Sequence, residues 1–368
     1  MKFVKTIILS LTLMTIHSSL SLSLNNNRHI PVFLAADDNY APYVATTMAS
    51  ILKNTKSYVD FYVLSDGITD KNKAKILNER KWFKNFSLKF VDLDGNELQD
   101  LFKERGHITR AAYARLFIPE LDVSKNIKKA IYFDDDMIIT KDIKKLYEED
   151  LDGKIVGTVA GKFDCERYGK GYGRFYKHFD VSQDHVYFNS GMLLMDFDKW
   201  RQENITAKAT KAAKDNIGNK YFIAQDQDAL NIALNMKNKT LSNVYNTIIS
   251  AFRNEKDDNY LNEVFKNAVV IHYTGRKPWH DKTVLRSNEF WQIVPYTDFA
   301  DEIKQRYDTF QKDMKIMKNS DKNAEKINKN AEKINKSINK RTNIIYILLG
   351  ILIGLNAAVL VVLVKRRK

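Results

Sequence analysis

Between residues 30 and 270, short apolar runs alternate with stretches whose apolar residues recur every three or four positions. The runs at 30–36, 60–64, 88–93, 129–133 and 155–159 are rich in Val, Ile, Leu, Phe and Tyr, the composition of strands. The stretches at 43–53, 70–80 and 109–116 carry the helical period. Alternation of this kind predicts an α/β domain on a mainly parallel sheet, because parallel strands need crossovers and helices usually supply them. Ligands of such sheets bind beyond the carboxyl ends of the strands, so polar residues there are the first candidates for chemistry.

The pattern changes at both ends. Lys2 and Lys5 precede an apolar stretch at 7–16 and a Ser-Leu-Ser-Leu-Ser run at 19–23, so residues 1–24 read as a signal peptide. The rival reading is an uncleaved signal anchor, since 6–24 just spans a thin bilayer. Downstream, NAEKINK at 323–329 returns at 330–336. Ala324, Ile327, Ala331, Ile334 and Ile338 alternate three- and four-residue spacings, and Phe310 and Met317 extend that seam upstream. Residues 301–341 therefore predict a helical stalk, either a solvated single helix or one that self-associates. Residues 344–364 hold no charge and end on Lys365-Arg366-Arg367-Lys368, which predicts a transmembrane helix with a basic tail at 365–368. Residues 29–300 are left as the folded domain.

Charge sharpens this division. Residues 312–368 carry 14 Lys and Arg against 4 Asp and Glu, and 1–28 add Lys2, Lys5 and Arg28, so of the net +14 only +1 remains for 29–311. The basic surplus belongs beside anionic lipid headgroups, and the middle offers none for a nucleic acid. Cys165 is the only cysteine, which excludes an internal disulfide and a cysteine zinc cluster.

Two acidic clusters fall at predicted strand ends: AADDNY with Asp37, Asp38 and Asn39, and YFDDDM with Asp134, Asp135 and Asp136. Strand alternation would turn Asp134 and Asp136 to one side, and two carboxylates there suit a hard divalent cation bridged to phosphates. A solvated acidic turn is the plainer reading of either cluster alone. Further polar groups stand against apolar runs in FNSG (Asn189, Ser190, Gly191), DQDALN (Asp226, Gln227, Asp228) and HYTGRKPWH (His272, Gly275, Lys277, Trp279).

Together with TRAAYARL at 109–116, these motifs resemble glycosyltransferase family 8 in order and spacing over most of residues 30–283. That family comprises retaining enzymes, among them bacterial lipopolysaccharide glucosyl- and galactosyltransferases and the glycogenins. The resemblance implies a nucleotide-sugar-binding GT-A fold. It implies Asp134, Asp136 and His272 as ligands of Mn2+, with Mg2+ as the alternative ion. It implies that Asp37, Asn39 and Tyr40 receive the nucleotide and that Gly275 and Lys277 contact phosphate. Arg115, Asn189, Asp226 and Gln227 would hold the transferred sugar, with Arg115, Asp226 and Gln227 at the reacting centre. One departure is visible: where the family carries an acidic residue after the strand at 155–159, this chain reads VAGKFDCER, with Gly161 in place and Asp164 nearby.

The expected function is Mn2+-dependent transfer of a hexose, with retention, from UDP-glucose or UDP-galactose to a saccharide or glycolipid. Gln227 is a poor nucleophile, because an amide oxygen is weakly basic, so displacement on one face is preferred to a covalent intermediate. Two alternatives stay open: a catalytically silent nucleotide-sugar-binding membrane scaffold, and a metal-dependent phosphohydrolase. Location also stays open, since bacterial relatives of this type work where nucleotide sugars are made, yet residues 1–24 resemble an export signal.

Overall fold

The computed structural model describes residues 29–93, 110–161, 172–216, 218–222 and 224–366. Its strands are β1 (His29–Asp37), β2 (Tyr58–Asp66), β3 (Phe86–Asp92), β4 (Lys129–Phe133), β5 (Met137–Ile139), β6 (Val156–Ala160), β7 (Phe188–Asp196), β8 (Asn238–Leu241), β9 (Thr247–Ile248) and β10 (Val270–His272).

Residues 32–36 of β1 are all buried, and they divide by parity. Ile30, Val32, Leu34 and Ala36 join one apolar cluster, Phe33 and Ala35 another, as the two-residue period of a strand requires. The helix Ala41–Asn54 covers the first face with Tyr43, Val44, Met48 and Ile51. Pro42 opens it, where a fixed φ and a missing N–H cost nothing. The helices Phe197–Gln202, Ile205–Asp215 and Asp226–Ala233 cover the second face with Phe197, Trp200, Ala209 and Leu230. This is the layered α/β arrangement expected from the alternation.

The main sheet runs in the order β3-β2-β1-β4-β7-β6-β8. β1 pairs with β2 in parallel from His29 opposite Tyr58 to Asp37 opposite Asp66, and β3, β4 and the pair β6 and β8 are parallel as well. β7 is antiparallel to both of its neighbours. A small second sheet has the order β5-β10-β9. β5 follows β4 after three residues, so the chain passes from one sheet to the other through Asp134, Asp135 and Asp136.

The chain divides into two units, Met1–Arg306 and Tyr307–Lys368. In the first, buried Phe299 and Ile303, the Lys75–Glu302 ion pair (2.8 Å) and a bond from Arg306 to the Asn39 carbonyl (2.7 Å) secure the opening turns of the helix Ala300–Arg366. In the second, this helix runs on through the expected stalk, where Ile327, Ile334 and Ile338 are exposed. Among the described residues no helix is long and apolar enough to cross a membrane. In the expected span at 344–364 the side chains through Gly354 are exposed; the side chains of 355–364 lie outside the described part, as do residues 1–24 altogether.

Candidate functional site

β4 ends at Phe133, so Asp134, Asp135 and Asp136 form a turn, and strand alternation is not what aligns them. Two backbone bonds set the turn instead. Asp134 N donates to Gly191 O (2.8 Å) just beyond the β4–β7 ladder, and Tyr273 N donates to Asp136 O (3.0 Å) just beyond the β5–β10 ladder. From the adjoining helix, Thr47 Oγ1 donates to the carbonyls of Met137 (2.9 Å) and Asp135 (3.1 Å). His272 is opposite Met137 in the β10–β5 register, one residue from Asp136. Sheet pairing thus brings together residues more than a hundred positions apart, and one ligand atom each from Asp134, Asp136 and His272 lies within 4.8 Å of the others.

These residues fit a divalent cation. Burial pushes the Asp136 carboxyl upward, but opposing charge, the Lys277 ammonium foremost, outweighs burial and holds it well below the usual carboxylate range. Asp136 is therefore an anion. Lys277 Nζ sits on its Oδ2, while Oδ1 is buried without accepting a hydrogen bond, 3.1 Å from His272 Nε2. A buried, donor-less carboxylate oxygen facing a ring nitrogen is costly, and a cation between them removes the cost. Carboxylate and imidazole together suit Mn2+ or Mg2+ better than a thiophilic metal. Gly191 leaves the room: a β-carbon there would stand 2.6 Å from both Asp134 Oδ2 and His272 Cε1.

Arg115 follows the short helix Arg110–Ala114 in a turn, and it is no surface cation. It is 6% exposed, with Nη2 2.9 Å from Asp134 Oδ1, Nε 3.2 Å from Asp226 Oδ2, and Nη1 donating to the Ser190 carbonyl at 2.8 Å. Tyr132 Oη donates to the same Asp134 oxygen (2.7 Å), and its ring lies 4.8 Å from the guanidinium. Burial raises the Asp226 carboxyl, and Arg115 counters only part of that rise. Gln227, in the first turn of the helix Asp226–Ala233, accepts at Oε1 from Ser190 N (3.2 Å) and Asn189 Nδ2 (2.9 Å). The residues expected around a transferred sugar therefore form one hydrogen-bonded group joined to the acidic turn.

The expected nucleotide end lies at the mouth of β1. Asp37 Oδ1 accepts from Tyr40 N (3.0 Å), Asn39 is exposed, and the Tyr40 ring, 37% exposed, meets Trp279 edge-on at 6.4 Å. Burial raises the Tyr40 hydroxyl, and Asp135 adds to the rise. Gly275 takes a φ of +82°, a left-handed turn that lets the chain leave β10 and return Lys277 to Asp136. Lys277 also donates to the Tyr273 carbonyl (2.8 Å), so its ammonium is committed to the acidic turn in this structure. Asp38, from the same AADDNY motif, has a structural role: its Oδ1 accepts from Thr69 N, Thr69 Oγ1 and Asn72 Nδ2.

Sequence reasoning passed over Tyr132, Tyr187 and Asn246. Tyr187 Oη donates to Asp228 Oδ1 (2.5 Å) and accepts from Gln227 Nε2 (3.0 Å). Asn246 is 2% exposed, facing His272 Nδ1 through Oδ1 (2.9 Å) and Asn189 Oδ1 through Nδ2 (2.9 Å). The available signal was a lone amide among apolar residues in VYNTII, which needs buried partners. Asn246 also lines a cavity of about 380 Å³ with Ala160, Thr247, Ile248, Phe252 and Tyr260.

Comparison with known proteins agrees with this geometry. The model of Glycosyl transferase family 8 matches residues 31–283. General stress protein A of Bacillus subtilis is 32% identical over 272 residues, covering 71% of this chain and 92% of that protein. The lipopolysaccharide 1,2-glucosyltransferase of Escherichia coli K12 is 28% identical over 282 residues, covering 74% of this chain and 79% of its own length. The crystal structure of the galactosyltransferase LgtC in complex with donor and acceptor sugar analogs superposes with a TM-score of 0.61 at 25% identity, over 73% of this chain and 96% of that one. With the acidic turn, the histidine and the layered sheet in the arrangement described, and the family's model spanning well over half its length, this chain is a glycosyltransferase and belongs to glycosyltransferase family 8.

Proposed function

We propose that the chain transfers a hexose, with retention of configuration, from UDP-glucose or UDP-galactose to a saccharide or glycolipid acceptor, with Mn2+ as its working ion and Mg2+ as the substitute. One observation carries this reading: Asp136 Oδ1, an ionised and donor-less oxygen, faces His272 Nε2 within a three-residue cluster. Asp134, Asp136 and His272 would hold the ion, which would offset negative charge on a departing diphosphate. Two similar proteins, a lipopolysaccharide glucosyltransferase and a galactosyltransferase, support a hexose and a saccharide acceptor.

The residues around the cluster each have a defined task. Arg115 fixes Asp134 and Asp226 relative to each other, so the carboxylates hold their places as charge moves. Lys277 neutralises Asp136 and has a phosphate within the chemistry of its ammonium. Tyr40 offers an exposed ring to a base, and Asp37 and Asn39 offer acceptors beside it. The Gln227 carboxamide is held by Ser190 N, Asn189 and Tyr187, which orients its dipole and occupies the oxygen a nucleophile would use. Attack by the acceptor hydroxyl on the face that the leaving group vacates is the route these contacts favour. The cavity beside Asn246, with Phe252 and Tyr260 in its wall, has the mixed aromatic and polar lining that a sugar ring accepts.

The apolar run at 344–364 and its basic tail support a membrane tether, with 307–341 as spacer. A screen of UDP-sugars with Mn2+ and saccharide acceptors tests the activity. Formation of a glycoside with the donor's anomeric configuration is the expected result. Release of UMP and sugar 1-phosphate without a glycoside would favour a phosphohydrolase, and tight donor binding without any product would favour a silent scaffold.

A further inference from the structure

We infer that Asn246 is a positioning residue for the cation site: its side-chain amide holds His272 in the one neutral tautomer that turns a lone pair toward Asp136. The inference rests on the cation reading above and extends it to a residue outside the ligand set.

The oxygen and nitrogen of an amide are distinguished by what they face, and a backbone N–H can only donate. Two such donors on β7 set the polarity. Gly191 N donates to Asn189 Oδ1 (3.1 Å), and Ser190 N donates to Gln227 Oε1 (3.2 Å). Asn189 must then use Nδ2 toward Gln227 (2.9 Å), and its Oδ1 must accept from Asn246 Nδ2 (2.9 Å). That leaves Asn246 Oδ1 against His272 Nδ1 at 2.9 Å. A carbonyl oxygen only accepts, so the ring proton sits on Nδ1. Nε2 of the neutral ring is therefore bare, and it faces Asp136 Oδ1 at 3.1 Å. Two acceptors at that distance repel unless a cation stands between them or the ring gains a second proton.

The relay joins four elements: the β7 backbone, the helix carrying Gln227, the connection into β9 that carries Asn246, and β10. It couples the amide at the sugar side to the imidazole at the metal side without touching reacting atoms. Asn246 is 2% exposed, so both bonds lie in a buried setting.

The test uses the full chain with 15N-labelled histidine, stripped of metal by chelator and held at a pH where the ring is neutral, with a His272→Gln variant to assign the signal. The expected wild-type signal has a protonated Nδ1 and a bare Nε2. Asn246→Leu should mix the tautomers and weaken Mn2+ binding, read by electron paramagnetic resonance of the free ion, by about 10- to 100-fold. Asn246→Asp, which still accepts from Nδ1 although it sets a second acceptor against Asn189 Oδ1, should keep the tautomer and bind Mn2+ more tightly than Asn246→Leu. A wild-type His272 protonated on Nε2 overturns the inference, and so does a folded Asn246→Leu protein with unchanged tautomer and Mn2+ affinity. Should Asn246→Leu fail to fold, the tautomers of wild type and Asn246→Asp decide the matter. A wild-type chain with the expected tautomer but no saturable Mn2+ binding strikes the cation reading and leaves the amide relay standing.

Discussion

Gly191 stands so close to His272 that a β-carbon on it would lie 2.6 Å from the imidazole Cε1, and at the same distance from Asp134 Oδ2. No real β-carbon tolerates either contact, so the glycine is required by the packing of two candidate ligands. Gly191→Ala should separate Asp134 from His272, weaken Mn2+ binding and cost about 1–3 kcal/mol of stability through overpacking. Mn2+ titration and urea unfolding of the variant check both effects, and wild-type values in each would contradict the close packing.

Arg115 is a second point of leverage, since its guanidinium joins Asp134 to Asp226 from a buried position. Removing it strands two carboxylates, and Arg115→Ala is expected to lose about 3–5 kcal/mol. Arg115→Lys keeps the charge but not the fork that reaches both acids, so it should stay better folded than Arg115→Ala while transfer falls at least about tenfold. Thermal unfolding and initial rates on the two variants measure the difference.

His185 gives the fold a dependence on acid. It is 2% exposed, with Nε2 on Asn231 Oδ1 (3.0 Å) and Nδ1 accepting from Met236 N (3.1 Å), a set of partners that only the neutral ring satisfies. Burial pulls its pKa below the ordinary 6.5, and the bond to Asn231 offsets part of that shift. The folded state therefore binds this proton less readily than the unfolded chain. The stabilisation is full above about pH 6.5 and is lost as pH falls through the lower, folded pKa, at up to about 1.4 kcal/mol per pH unit. Urea unfolding between pH 7.5 and pH 5 should show a shallower loss in His185→Gln than in wild type.

The apolar run at 344–364 yields a prediction about location. The full chain should sediment with membranes, and a chain ending at residue 343 should remain in the supernatant with its transferase activity intact. Protease treatment of sealed vesicles then reports on which side the catalytic unit lies.

Much of this architecture was legible because the central strands are buried on both faces. Residues 30–36 and 129–133 are apolar almost without interruption, and β1 and β4 fall there. β7 was harder to see, since its polar head, Asn189-Ser190-Gly191, resembles a loop until the chain is folded. β5 and β10 are three residues each, too short for periodicity to register, yet their pairing is what delivers His272 to Asp136. The acidic turn was found for an incomplete reason: alternation along a strand pointed to Asp134 and Asp136, whereas a turn between two sheets holds them. Asn246 left only the faint signal of an amide among apolar residues and Tyr187 none, because their importance lies in hydrogen bonds to residues 40 or more positions away, Asn189 and Gln227.

The central claim is that Asp134, Asp136 and His272 bind one divalent cation that the transfer requires, and an Mn2+ titration in the presence of UDP tests it most directly. The wild-type chain should bind a single ion saturably, and Asp136→Asn, with its fold intact, should bind it at least about 100-fold more weakly. A folded Asp136→Asn protein that titrates like wild type would contradict the account.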